Sequence, residues 1–199
     1  MSTAAAFCSL SRSVTGSLLP SLSRMVLAAL LVFAAVPFAS AEGISVPSAS
    51  LEQTEDGWNL NADFDIQFSS KLEEAVTRGV PLYFVMEFEL TRPRWYWFDE
   101  KPVKQSQTYK ITYTPLLRQY RLSVGNLYQN FTRFDEVKRV LSRVRSLHVA
   151  DKGALKGEYQ ANLRMRLDTG QLPKPFQLNA VASSDWSLNS EWHRWAVNP

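Results

Sequence analysis

Four aromatic side chains in a row, Trp95-Tyr-Trp-Phe98, follow Arg92 and Arg94 and precede Asp99. Trp, Tyr and Arg are the residue types enriched at the energetic centres of binding interfaces. Aromatic faces also stack on sugar rings through dispersion. Alternate residues of an extended chain face opposite ways, so only half of such a run can enter one core. Two readings follow. In one, Trp95 and Trp97 plug the end of a fold while Tyr96 packs on arginine. In the other, Arg92, Arg94, Trp95, Tyr96, Trp97, Phe98 and Asp99 form an exposed binding patch. Near the C-terminus, Trp192, Arg194 and Trp195, with Trp186, either extend that patch or close the core.

Other residue types capable of chemistry are poorly arranged for it. His148 and His193 have no ligand-spaced partners, and a zinc site needs about three or four convergent ligands. Glu87 and Glu89 share one face of an extended segment, as do Asp63 and Asp65. Paired carboxylates hydrolyse glycosides, yet on the wet face of a strand such pairs are ordinary solvated residues. The strained serine elbow of hydrolases, G-x-S-x-G, is missing. A Ser-His-Asp triad stays open, since triads are defined by geometry. The sequence therefore predicts a non-catalytic protein that needs no cofactor and no metal.

The N-terminal 41 residues carry the order of a secretory signal. Arg24 precedes an apolar run, Met25 to Phe38, and Ala39-Ser-Ala41 offers small residues to a signal peptidase. The run is short for a membrane span, which needs about 20 residues. The expectation is a signal peptide over 1–41 and one periplasmic domain over 42–199, the alternative being an inner-membrane anchor formed by residues 25–38. The single cysteine, Cys8, falls in the signal, so the remainder must be held by its core without disulfides.

Residues 42–199 hold 20 basic and 19 acidic side chains, a net of +1. So balanced a chain gives no support to a nucleic-acid role, and contact with the membrane is expected only through an uncleaved signal. The balance hides an asymmetry: residues 42–100 sum to −8 and residues 101–157 to +9. Complementary strands pairing across a sheet would produce this. A basic face aimed at an anionic envelope partner would produce it too.

Most of the remaining pattern has period two. Ile44–Leu51 reads as an edge strand marked by Pro47. Trp58, Leu60, Ala62, Phe64, Ile66 and Phe68 alternate with polar residues. Ser70-Lys-Leu-Glu73 reads as a capping box opening a helix over 71–78, closed by Gly79. Leu82–Leu90 and 104–114 alternate again. Pairing them with position sums near 197 sets Phe88 against Tyr109 and Glu87 against Lys110. Further strands are expected over 120–124, 159–167 and 176–182, with a second helix over 133–146. Seven short strands and two helices predict a mainly β, immunoglobulin-like two-sheet antiparallel sandwich. The alternative is an α+β antiparallel sheet with helices on one face.

Several segments look familiar together: Gly79-Val-Pro-Leu82, Arg94-Trp-Tyr-Trp97, Tyr159-Gln-Ala161 with Arg164 and Leu167-Asp168, Leu172-Pro-Lys-Pro175, Asp185-Trp186 and Ser190-Glu-Trp192. They resemble a proteobacterial family known as domain of unknown function 4390, whose members are sometimes labelled proline-rich signal-peptide proteins. The resemblance implies a secreted or envelope protein of Gram-negative bacteria, encoded near a membrane sensor kinase of the nitrogen-regulation type. It brings no catalytic residues with it. The function expected is an envelope interaction or accessory domain with a protein partner. A glycan or peptidoglycan binder, or a weak hydrolase, is the second expectation, and a holdase chaperone the third.

Overall fold

Alternating side chains make a strand only where a neighbour covers the apolar row, and in this chain every long alternating segment finds one. The computed structural model describes residues 43–92 and 100–198. In chain order these form β1 (Ile44–Gln53), β2 (Gly57–Ile66), α1 (Ser70–Thr77), β3 (Leu82–Arg92), β4 (Glu100–Thr114), β5 (Gln119–Val124), β6 (Leu127–Phe131), α2 (Phe134–Leu141), β7 (Arg143–Asp151), β8 (Tyr159–Leu167), α3 (Lys174–Ala182) and β9 (His193–Val197). A small sheet has the order β1-β2-β7, and a large one β6-β5-β4-β3-β8-β9, all antiparallel. The two sheets make the sandwich that the alternation predicts.

The large sheet turns Leu82, Phe84, Met86, Phe88 and Leu90 of β3 inward, beside Leu163 and Met165 of β8. Against them stand Leu60, Ala62 and Phe64 of β2. β1 lies over β8 and β9, β7 over β4, and the helices α1 and α2 cover β4, β5 and β6. Leu72, Ala75 and Val76 are the buried face of α1. Val137 and Leu141 are that of α2.

Five expectations require correction. First, β3 and β4 pair with sums of 193, not 197: Phe84 faces Tyr109, and Phe88 faces Gln105. Lys110 meets Tyr83, its ammonium 5.5 Å from the ring centroid, instead of Glu87. A shift by an even number of residues leaves every side chain on its proper face, so burial alone cannot choose between the two registers. Second, the cap of α1 is Ser69, whose hydroxyl accepts from the Leu72 amide at 3.3 Å. That buried hydroxyl also donates to the Asp185 carbonyl at 3.0 Å, a tertiary bond that Ser70 does not make.

Third, the helix expected over 133–146 ends at Leu141. Val144 and Leu147 then pair with Ala62 and Leu60 in β7. Val144 satisfies both periods, and the open edge of β2 decides in favour of the strand. Fourth, the strand expected over 176–182 is the helix α3, which begins at Lys174-Pro175. Proline suits the first turn of a helix, where its missing N–H has no partner to lose. Fifth, the strands number nine among the described residues. β6 and β9 were not expected. Gly125-Asn126 makes the two-residue hairpin turn before β6, with Gly125 at φ 56°.

Part of the charge asymmetry resolves into pairs between the two segments. Lys138 meets Glu73 at 2.9 Å, Lys101 meets Glu89 at 2.6 Å, and Arg145 meets Asp63.

Candidate functional site

The outward positions of β3 are Tyr83, Val85, Glu87, Glu89 and Thr91. Register with β8 sets Arg164 beside Glu87, Asn162 beside Glu89, and Gln160 beside Thr91. On the other flank Lys104 stands opposite Glu89. A bulge in β4 sets Lys101 and Pro102 together opposite Thr91, and Pro102 cannot donate to a sheet ladder. It reverses the facing of β4, so that Lys101 points outward and reaches Glu89. The paired carboxylates thus lie between cations. Glu87 accepts from Arg164, with Arg166 at 3.6 Å. Glu89 accepts from Lys101 at 2.6 Å, with Lys104 at 3.6 Å.

The Lys101 hydrogen bond, working against burial, holds the Glu89 carboxyl below the usual carboxylate range. Glu89 is therefore an ionised acceptor near neutral pH, whereas a general acid for glycoside cleavage needs a raised value. Because the folded value is the lower one, the stability Glu89 contributes is complete above the ordinary carboxylate range. It is lost as pH falls through the depressed value. Glu89→Gln is expected to lower stability by about 1 kcal/mol at pH 7, a figure discounted for the half-exposed Lys101. The gap should close as pH falls through the depressed value, and urea unfolding at pH 7 and along an acid series checks it.

Arg194 and Trp192 complete this face. Arg194 stands opposite Asn162 in β9. Trp192 lies under the Arg164 guanidinium, 4.4 Å from the ring centroid. Together with Glu89, Thr91, Lys101, Gln160 and Asn162 they line a cleft of ≈ 340 Å³. The Asn162 side-chain amide, which forms its floor, donates to the Thr91 hydroxyl at 3.1 Å and the Gln160 carbonyl at 3.2 Å. The Arg194 guanidinium makes no hydrogen bond or ion pair with another described residue.

The residues singled out from sequence are partly brought together here. Arg94, Trp95, Tyr96, Trp97, Phe98 and Asp99 lie outside the described residues. Arg92 closes the inner end of β3. Its guanidinium sits 4.6 Å from the Tyr159 ring centroid, donates to the Tyr159 hydroxyl and the Lys156 carbonyl, and pairs with Glu100 at 3.6 Å. Trp192 and Arg194 share the outer cleft. Trp195 does not join them: the pleat turns it inward, with its ring 6.3 Å from Phe88. Trp186 is buried against Phe176. Sequence reasoning missed Gln160, Asn162 and Arg164. Their signal was present as the polar half of the alternation in β8.

Among the described residues no group of three or more His, Cys, Asp or Glu side chains could hold a metal ion. His148 meets Asp151 at 3.2 Å on an exposed surface. A crevice of ≈ 360 Å³ between α1 and Trp186 is rimmed by the exposed pair Arg78–Glu74 and by Lys71. No helix among the described residues is long and apolar enough to cross a membrane.

Fold and surface define the class: a mainly β, two-sheet antiparallel sandwich with a cation-rich outer face. A family model described as domain of unknown function (DUF4390) matches residues 41–196. The chain belongs to this family. No curated protein and no solved structure matches it.

Proposed function

We propose that this chain is an exported, non-catalytic interaction domain of the cell envelope, an accessory that recognises an anionic protein partner through the outer face of the large sheet. The observation that carries the proposal is the charge of that face. Its outward positions hold Lys101, Lys104, Lys110, Arg121, Arg164, Arg166 and Arg194 against Glu87 and Glu89. Both carboxylates are already neutralised, and Arg194 is left to meet an incoming anion. Such a field steers encounter and fixes orientation. Export is supported by Arg24, the apolar run and Ala39-Ser-Ala41. A family match that begins at residue 41 agrees with it. Mass spectrometry of the protein recovered from the periplasm should find Glu42 at its N-terminus.

The test is partner recovery from envelope extracts across a salt series. Binding is expected to weaken as salt rises, since exposed charges are screened within about 8 Å at physiological ionic strength. Arg194→Glu should weaken it about tenfold, equivalent to about 1.4 kcal/mol. Its thermal midpoint should be unchanged, because Arg194 supports nothing in the fold. Recovery that is indifferent to both salt and Arg194→Glu would overturn the reading. A glycan reading is favoured by one feature, the meeting of Trp192 with the amides of Gln160 and Asn162 in the cleft. Purified cell wall that retains the protein through Trp192 would favour it over a protein partner.

A further inference from the structure

The sandwich has four sheet edges, and three are blunted against further pairing. β1 carries Pro47 and a bulge between Ser45 and Ser48. β7 carries Arg143 and Arg145, two register shifts, and Ser146 at φ 50°. β9 carries Arg194. Pro, charge and bulges are the devices by which proteins protect edges. β6, Leu127-Tyr-Gln-Asn-Phe131, has none of them. Its register with β5 runs unbroken from Val124–Leu127 to Tyr120–Phe131, and no described strand pairs its other side. Leu127 is 78% exposed and Tyr128 65%.

Beside this edge the sandwich is open. The small sheet reaches only as far as β4, and α2 covers what lies beyond. A groove of ≈ 540 Å³ remains between β6 and α2, lined by Phe131, Glu136, Arg139, Val140 and Arg143. Val140 is the member of the α2 apolar stripe that the core leaves out, 41% exposed. Glu136 accepts from the Arg133 amide at 3.3 Å. The Arg139 guanidinium has no hydrogen-bond or ion-pair partner among the described residues.

We propose that β6 is a docking edge for an extended acidic segment of another protein. The segment adds a seventh strand to the large sheet. Its main chain pairs with β6, and its groove-facing side chains, every second residue, are apolar over Phe131 and Val140 and carboxylates where they meet Arg139 and Arg143. Added strands of this kind draw affinity from main-chain bonds and specificity from pockets for alternate side chains. Charge argues against a second copy as the occupant. A two-fold pairing of β6 with itself keeps both inner faces on one side and brings two sets of Arg139 and Arg143 together. The site stands at the opposite edge of the sheet from the Trp192 cleft and does not rest on the reading of that cleft.

The experiment uses the full chain and two synthetic eight-residue probes in which threonine alternates with the groove-facing positions, those positions being in turn valine and glutamate in one probe and valine and lysine in the other. Binding is read by fluorescence anisotropy and located by hydrogen exchange. The glutamate probe should bind at least tenfold more tightly than the lysine probe. It should slow exchange over 127–131 and 139–143. Arg139→Glu with Arg143→Glu should reverse the preference, and Arg194→Glu should leave it unchanged. Circular dichroism confirms that each variant is folded. The proposal is overturned if neither probe binds, if both bind equally, or if protection falls over 160–162 and 192–194. A dimer that protects 127–131 without any probe overturns it as well.

Discussion

Phe88→Ala is expected to lower the unfolding free energy by about 3–5 kcal/mol, the range for truncating a fully buried aromatic residue. Phe88 is 0% exposed at the centre of β3. Its neighbours across the ladder are Leu163 and Gln105, and Trp195 lies 6.3 Å away on the same face. Two paired strands hold the backbone on either side, so the site cannot collapse far, and a void remains. A small domain has a total stability of about 5–15 kcal/mol, so the variant should be close to unfolding at 37 °C. Urea denaturation measures the loss. A value under about 1.5 kcal/mol would mean that the two sheets do not face each other at this point.

Gly57→Ala is the second large effect, expected at about 2–3 kcal/mol or more. Gly57 opens β2 at φ 147°, where a side chain is strained. Space is lacking as well. A Cβ there would lie 2.8 Å from the His148 ring and well inside contact with the Ala150 carbonyl oxygen, which is backbone and cannot swing aside. Gly79 separates the two causes. It has φ 90° and nothing within 4 Å of an added Cβ. Gly79→Ala should therefore show the conformational term alone, about 1–2 kcal/mol. Thermal or urea midpoints of the two variants, measured side by side, check both values. Equal losses would show that the close approach of β7 to Gly57 contributes nothing.

Much of the sandwich is legible because burial writes a period of two into the chain. β2 and β8 each keep an apolar row and a polar row without interruption, β3 breaks its outward row only at the apolar, buried Val85, and each lies as the pattern predicts. What the pattern cannot carry is register, since any even shift preserves both faces. The pairing of β3 with β4 moved by four in position sum for that reason. Short segments that satisfy two periods are the other loss. Val144 suits a helix or a strand, and the open edge of β2 decided. Phe176–Ala182 alternates by accident of composition, while Pro175 records the helix.

The site was legible by residue type more than by place. The aromatic and arginine enrichment led to Trp192 and Arg194, which do meet in one cleft. Parity alone should have set Trp195 apart, because it lies an odd number of residues from both and must face the core. The cations around Glu87 and Glu89 come from two strands, β4 and β8, on either flank of β3. One of them, Lys101, faces outward only because of the β4 bulge at Pro102. No local pattern carries that.

A photoreactive residue installed at position 160 in cells tests the central claim most directly. Gln160 is an exposed wall of the Trp192–Arg194 cleft, and Leu178, 76% exposed on α3, serves as the remote control. The predicted result is a discrete adduct with an envelope partner from position 160, none from position 178, and its loss on Arg194→Glu. Adducts of equal yield from both positions, or an adduct at 160 indifferent to Arg194→Glu, would contradict recognition through the outer basic face.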